Sequence, residues 1–97
     1  MKAYELLYFT APTSDEEARA AVESRVESAI TATGGVIDNV EEWGKRKLAY
    51  EVDGLAEGEY QLVDFHAEPT NIAEINRVLR ISDAVKRHMI VSREDRD

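Results

Sequence analysis

The sequence contains no cysteine. That absence excludes a disulfide scaffold, a thiolate metal site and a cysteine nucleophile, and it is compatible with a reducing cytosol. Histidine is nearly absent too, with only His66 and His88. Asp64 and His66 fall on one face of an extended segment, about 6–7 Å apart. A zinc site takes three or four protein ligands, so this pair reads as hydrogen-bonded or solvated and no metal is expected. No run approaches the ~20 apolar residues of a membrane span. The start, Met1 to Glu5, lacks the apolar core of a secretory signal. Phosphate-cradling glycine loops are missing. None of Ser14, Ser24, Ser28, Ser82 or Ser92 sits in a nucleophile elbow. Acidic pairs identify nothing, because 20 of the 97 residues are acidic. The expectation is a non-enzyme without cofactor, metal or small-molecule substrate.

Ninety-seven residues make one domain. It is expected to span 1–93, with 94–97 as a short charged tail that frays. The net charge of −8 argues by itself against nucleic acid, since a uniform negative field repels phosphate. The distribution is not uniform. Residues 43–50 carry +3 and residues 77–93 carry +4, while the remainder sums to −15. Such islands are ordinarily solvated faces. They become an anion-binding surface if the fold brings them together.

Apolar periodicity gives the element order. Residues 3–10 (AYELLYFT) read as a strand. Thr13 or Ser14 caps a helix, with Asp15, Glu16 and Glu17 in its first turn. Ala18, Val22, Val26, Ala29, Ile30 and Thr33 form its apolar stripe, and Gly34-Gly35 stops it. Residues 36–43 alternate partly, with Val36 and Val40 on one face and Ile37 and Trp43 on the other. Gly44 interrupts as a bulge, and 45–52 resume the strand. Residues 53–58 read as a turn and 59–67 as a strand, with Val63, Phe65 and Ala67 on one face. Pro69-Thr70-Asn71 opens a second helix bearing Ile72, Ile75, Val78 and Leu79. Ser82-Asp83 ends it, and 84–92 form the last strand. The order β-α-β-β-α-β predicts an α+β, ferredoxin-like sandwich: a four-stranded antiparallel sheet with two helices on one face.

That arrangement leaves the other sheet face open. The first strand is apolar on both sides, with Tyr4, Leu6 and Tyr8 facing one way and Leu7 and Phe9 the other. A solvated strand normally alternates apolar with polar, so the open face invites a partner.

One run is more specific. Glu41-Glu42-Trp43-Gly44-Lys45-Arg46-Lys47-Leu48-Ala49-Tyr50 closely resembles the signature of the bacterial small-subunit ribosomal protein six family. Tyr4-Glu5, Gly58 before an aromatic strand, Leu79-Arg80-Ile81, Asp83, Val85, Arg87 and Met89 extend the resemblance over nearly the whole chain. It implies a cytoplasmic, ribosomal assembly role: binding the central domain of small-subunit ribosomal RNA as a heterodimer with small-subunit ribosomal protein eighteen. This chain departs from relatives at Glu51, where proline is common, and at Ser82 and Ala3, where some carry a basic residue.

With that implication, phosphate contacts are assigned to Lys2, Arg80, Lys86 and Arg87, with Lys45, Arg46 and Lys47 as a second patch. Leu7, Phe9, Trp43 and Tyr50 are assigned to the protein interface. Two other classes share the element order. A stand-alone regulatory domain would bind a small ligand as a homodimer and needs no basic islands. An acylphosphatase-like enzyme needs an arginine-bearing loop after the first strand, where this chain has Ala11-Pro12-Thr13-Ser14-Asp15-Glu16.

Overall fold

A computed structural model describes residues 1–10, 16–52, 55–82 and 84–96, with side chains for all of these but 48–52 and 55–56. The helix cap expected at Thr13 or Ser14 lies outside the described residues. The elements are β1 (Lys2–Thr10), α1 (Glu16–Ala32), β2 (Val36–Val52), β3 (Leu55–Ala67), α2 (Ile72–Ile81) and β4 (Val85–Ser92). Short 3-10 turns, Pro69–Asn71 and Glu94–Arg96, precede α2 and follow β4. The sheet order is β2-β3-β1-β4, and every neighbour is antiparallel. This is the expected ferredoxin-like sandwich.

Helix spacing and strand alternation meet in one core. Val22, Val26 and Ile30 of α1 and Ile75 and Leu79 of α2 lie against Leu6, Tyr8, Val63, Phe65 and Ala67 of the sheet. Tyr4 stacks on Phe65 with ring centroids 5.6 Å apart. Helix α1 ends in a Schellman motif. The Gly34 N–H donates to the Thr31 carbonyl and the Gly35 N–H to that of Ile30, each at 3.0 Å, and Gly34 takes φ +88°.

The structure departs from the sequence reading in three places, each with a physical cause. First, the ladder between β2 and β3 runs on to Val52↔Leu55, so the turn expected over 53–58 is shorter. Gly58 is a strand residue, there because a Cβ would stand 2.6 Å from the Phe9 ring. Second, β2 carries register shifts at Ile37/Asn39 and Glu42/Gly44. Each extra residue reverses the alternation, so Ile37 and Val40 fall on the helix side while Val36 sits opposite His66 on the other. The second shift is the bulge expected at Gly44, whose φ is +74°. Third, Glu94–Arg96 form a turn that packs back onto the sheet, where charge patterning alone suggested a frayed end.

Candidate interface on the open sheet face

Residues directly opposite in neighbouring strands share a face. Pairing register therefore assigns the open face: Ala3, Glu5, Leu7 and Phe9 of β1; Tyr60, Leu62, Asp64 and His66 of β3; Arg87, Met89 and Val91 of β4. Phe9 and Tyr60 lie 5.3 Å apart, and the Trp43 ring lies 6.5 Å from Tyr60. Leu7, Phe9, Tyr60, Arg87, His88 and Met89 line a shallow hollow of about 410 Å³.

Of the four residues assigned to a protein interface, Leu7, Phe9 and Trp43 thus come together. The Tyr50 side chain lies outside the described residues. Phe9 is only 4% exposed, because Tyr60 covers it, so it supports the surface from below. The apolar groups in reach of a partner include Trp43 at 42%, Met89 at 55% and Val91 at 41% exposure, with Val36 at 50% toward the far end of the same face. Sequence reasoning missed Tyr60, Met89 and Val91. Alternation within β3 and β4 offered the signal, but only cross-strand register sorts those positions onto the face of Phe9.

The basic residues divide by position along the strands. Lys45 pairs with Glu59, Glu59 with Thr10, and Thr10 with Val85. That row places Lys45–Lys47 of one basic island and Lys86–Arg87 of the other at one end of the sheet, on opposite edges about 14 Å apart. Arg80 closes α2 at the same end, and Lys86 and Arg87 open β4 there. All six of Lys45, Arg46, Lys47, Arg80, Lys86 and Arg87 are exposed. Lys45 and Lys47 face Glu59 and Glu57, while Arg46 stands opposite Gly58, which offers no counter-charge. Lys2 begins β1 at the other end, about 23 Å from Phe9 along the strand. It does not join the other six.

His88 points away from the open face. One of its ring nitrogens, Nε2, lies 3.0 Å from Asn76 Oδ1 on α2. Burial, followed by the Arg80 charge, holds its pKa below the ordinary imidazole value. On the same side, the Tyr8 hydroxyl donates to Gln61 Oε1 and the Gln61 amide donates to Glu23. Burial, followed by Glu23, raises the Tyr8 pKa well above that of a free phenol. Asp64 and His66 share the open face as expected, but each pairs elsewhere. His66 Nδ1 lies 2.5 Å from Asp38 Oδ2, and Asp64 accepts from Arg96 at 2.8 Å. Among the described residues no group of three or more side chains could hold a metal ion. No helix among them is long and apolar enough to cross a membrane.

Comparison with known proteins bears on this surface. A family model described as ribosomal protein S6 matches residues 3–92. Proteins named small ribosomal subunit protein bS6 are similar over nearly full length. One from Clostridium botulinum is 46% identical, covering 97% of this chain and 100% of its own. One from Desulfitobacterium hafniense is 43% identical, covering 98% and 100%. The crystal structure of 30S ribosomal protein S6 from Thermotoga maritima superposes with a TM-score of 0.91 at 33% identity, over 97% of this chain and 89% of that one. The C-terminal domain of MgtC from Mycobacterium tuberculosis, at TM-score 0.64 and 8% identity, shares the fold alone.

Proposed function

The chain belongs to the ribosomal protein S6 family and is a structural protein of the small ribosomal subunit, not an enzyme, and from that premise we propose how it binds there. It joins the central domain of the small-subunit ribosomal RNA as a heterodimer with small-subunit ribosomal protein eighteen. The observation that carries this reading is the gathering of six basic residues from both islands at one end of the sheet, beside an open face that bears Trp43, Met89 and Val91.

The two surfaces divide the work. The apolar face excludes water against a protein partner, and the basic end meets phosphate. Arg46 and Arg87 suit bidentate phosphate contact, and the lysines act as point charges. The rest of the molecule is strongly acidic and repels RNA, so affinity for RNA alone is weak and rises when a basic partner is bound. With about four phosphate contacts, log K falls against log salt with a slope of roughly −3 to −4.

Size exclusion and a salt-dependent binding titration test this, using the purified protein with protein eighteen and a central-domain RNA fragment. The expected result is a monomer that forms a one-to-one complex with protein eighteen and only then co-elutes with RNA. Tight RNA binding by the protein alone at physiological salt would refute the division of labour. A homodimer indifferent to both would favour a ligand-binding regulatory domain.

A further inference from the structure

The open face is not bare along its whole length. Just beyond β4 the chain turns back over the end that the apolar patch leaves uncovered. The Arg93 N–H donates to the Ala3 carbonyl at 2.9 Å. Arg93 Nη1 donates to Glu5 Oε2 at 2.9 Å. Arg96 Nη1 reaches both Glu5 Oε2, at 3.3 Å, and Asp64 Oδ1, at 2.8 Å. The Arg96 carbonyl lies 3.2 Å from His66 Nε2. Glu5 and Asp64 are both on the open face, two residues along their strands from Leu7 and Leu62. Two guanidinium groups of the chain itself thus cap two carboxylates that adjoin the surface assigned above to a protein partner.

We propose that residues 93–96 form a displaceable arm, and that an arginine-bearing segment of a basic protein partner replaces Arg93 and Arg96 on Glu5 and Asp64 when it docks on the open face. This rests on the heterodimer reading and adds to it the mode of recognition.

Area gives the first argument. Four strands about 4.8 Å apart and nine residues at about 3.3 Å each make a face of roughly 570 Å². A stable partner covers about 800 Å² on each side, so it cannot remain on the Trp43–Met89 end alone. Glu5 and Asp64, over which the arm now lies, are the next residues of that face along β1 and β3.

Charge gives the second. Glu5 and Asp64 are already largely buried, with side chains 24% and 20% exposed. Covering them further without a cation would strand two carboxylates away from water. The partner therefore brings its own cations, or the arm stays. Arginine fits better than lysine, because a guanidinium is more weakly hydrated than an ammonium and costs less to bring into a partly covered site.

The arm's own chemistry decides between those two. Glu94, Asp95 and Arg96 are exposed and carry no apolar anchor; besides the contacts of the Arg93 N–H with Ala3 and of the Arg96 carbonyl with His66, the arm is held by ion pairs. Such pairs hold weakly and are screened by salt. Removing the arm's cations should raise the fraction of molecules ready to bind, and apparent affinity follows that fraction.

The test compares the full chain with its Arg93→Ser/Arg96→Ser and Glu5→Gln/Asp64→Asn variants, titrating each with protein eighteen by calorimetry at low and moderate salt. Thermal melts confirm that each is folded, and Arg96→Ser alone serves as the milder variant. The expected outcome is that Arg93→Ser/Arg96→Ser binds about three- to tenfold more tightly at low salt, with the gain shrinking as salt rises. Glu5→Gln/Asp64→Asn should bind more weakly than the full chain. Equal affinity of the arginine variant and the full chain, within twofold, overturns the arm as a competitor. Weaker binding overturns it too, and makes the arm part of the interface. If the folded full chain and all variants fail to bind protein eighteen, the heterodimer reading itself falls and takes this inference with it.

Discussion

Gly58 and Phe9 show how one missing side chain shapes the open face. A Cβ at Gly58 would stand 2.6 Å from Phe9 Cδ2 and 3.1 Å from Cγ. Gly58→Ala must therefore push the ring out against Tyr60, its neighbour at 5.3 Å. The expected cost is about 1–3 kcal/mol in denaturant unfolding, as for other overpacked sites. Phe9→Leu made in the same molecule should recover part of it. A double-mutant cycle that came out additive would separate the two residues. Along the sequence, Gly58 looks like turn chemistry. Its partner lies 49 positions away on β1, so only tertiary contact shows why glycine stands there.

At the scale of elements, local periodicity carried most of the reading. Val22, Val26 and Ile30 fall on one helical stripe, and Ile75 and Leu79 on another, and all five are buried. These positions were legible because a helix faces its core through its own spacing. Strand β2 was legible as a strand but not in its facing. Its two bulges are set by register against β3, and an alternation count has no access to that register. The end of the chain was misread for a similar reason: Arg93 and Arg96 find their acids on β1 and β3, far away in sequence.

Helix α2 and strand β4 share a pH-dependent contact through His88, which meets Asn76 and feels the Arg80 charge. Its pKa in the folded protein is lowered. The unfolded chain therefore binds the proton more readily across that interval. The stability this provides is complete above the ordinary imidazole pKa and is lost as pH falls through the lowered one. An NMR titration should place His88 below 6.5, the ordinary imidazole value. His88→Gln should remove its share of the acid destabilisation. A His88 that titrates at or above 6.5 would contradict the packing against α2.

For the molecule as a whole, the proposed function rests on an axial division. Six exposed basic residues gather where β1 ends, and Lys2 stands where it begins. Composition alone hid this, because the net charge is −8. Segment charges made the islands visible, and the sheet order β2-β3-β1-β4 with its register brought six of their residues to one end. In the proposed complex with protein eighteen, Arg46→Ser/Arg87→Ser should reduce the salt slope of RNA binding by about 2, one for each guanidinium withdrawn from phosphate. Lys2→Ser should leave that slope unchanged. Equal reductions from both variants would mean that RNA runs the length of the sheet.

The same strand order has a consequence in time. Strand β1 is made first and lies inside the sheet, between β3 and β4. Its first partner residue, Glu59, follows Thr10 by 49 positions, and β4 begins only at Val85. At about 5–20 residues per second, β1 waits several seconds during synthesis before either neighbour exists. Through that interval Tyr4, Leu6, Leu7, Tyr8 and Phe9 have no strand to pair with. The sheet therefore closes late, around a strand made well before either of its neighbours, and a protein of the ribosome depends for its own centre on segments that a ribosome adds long after it.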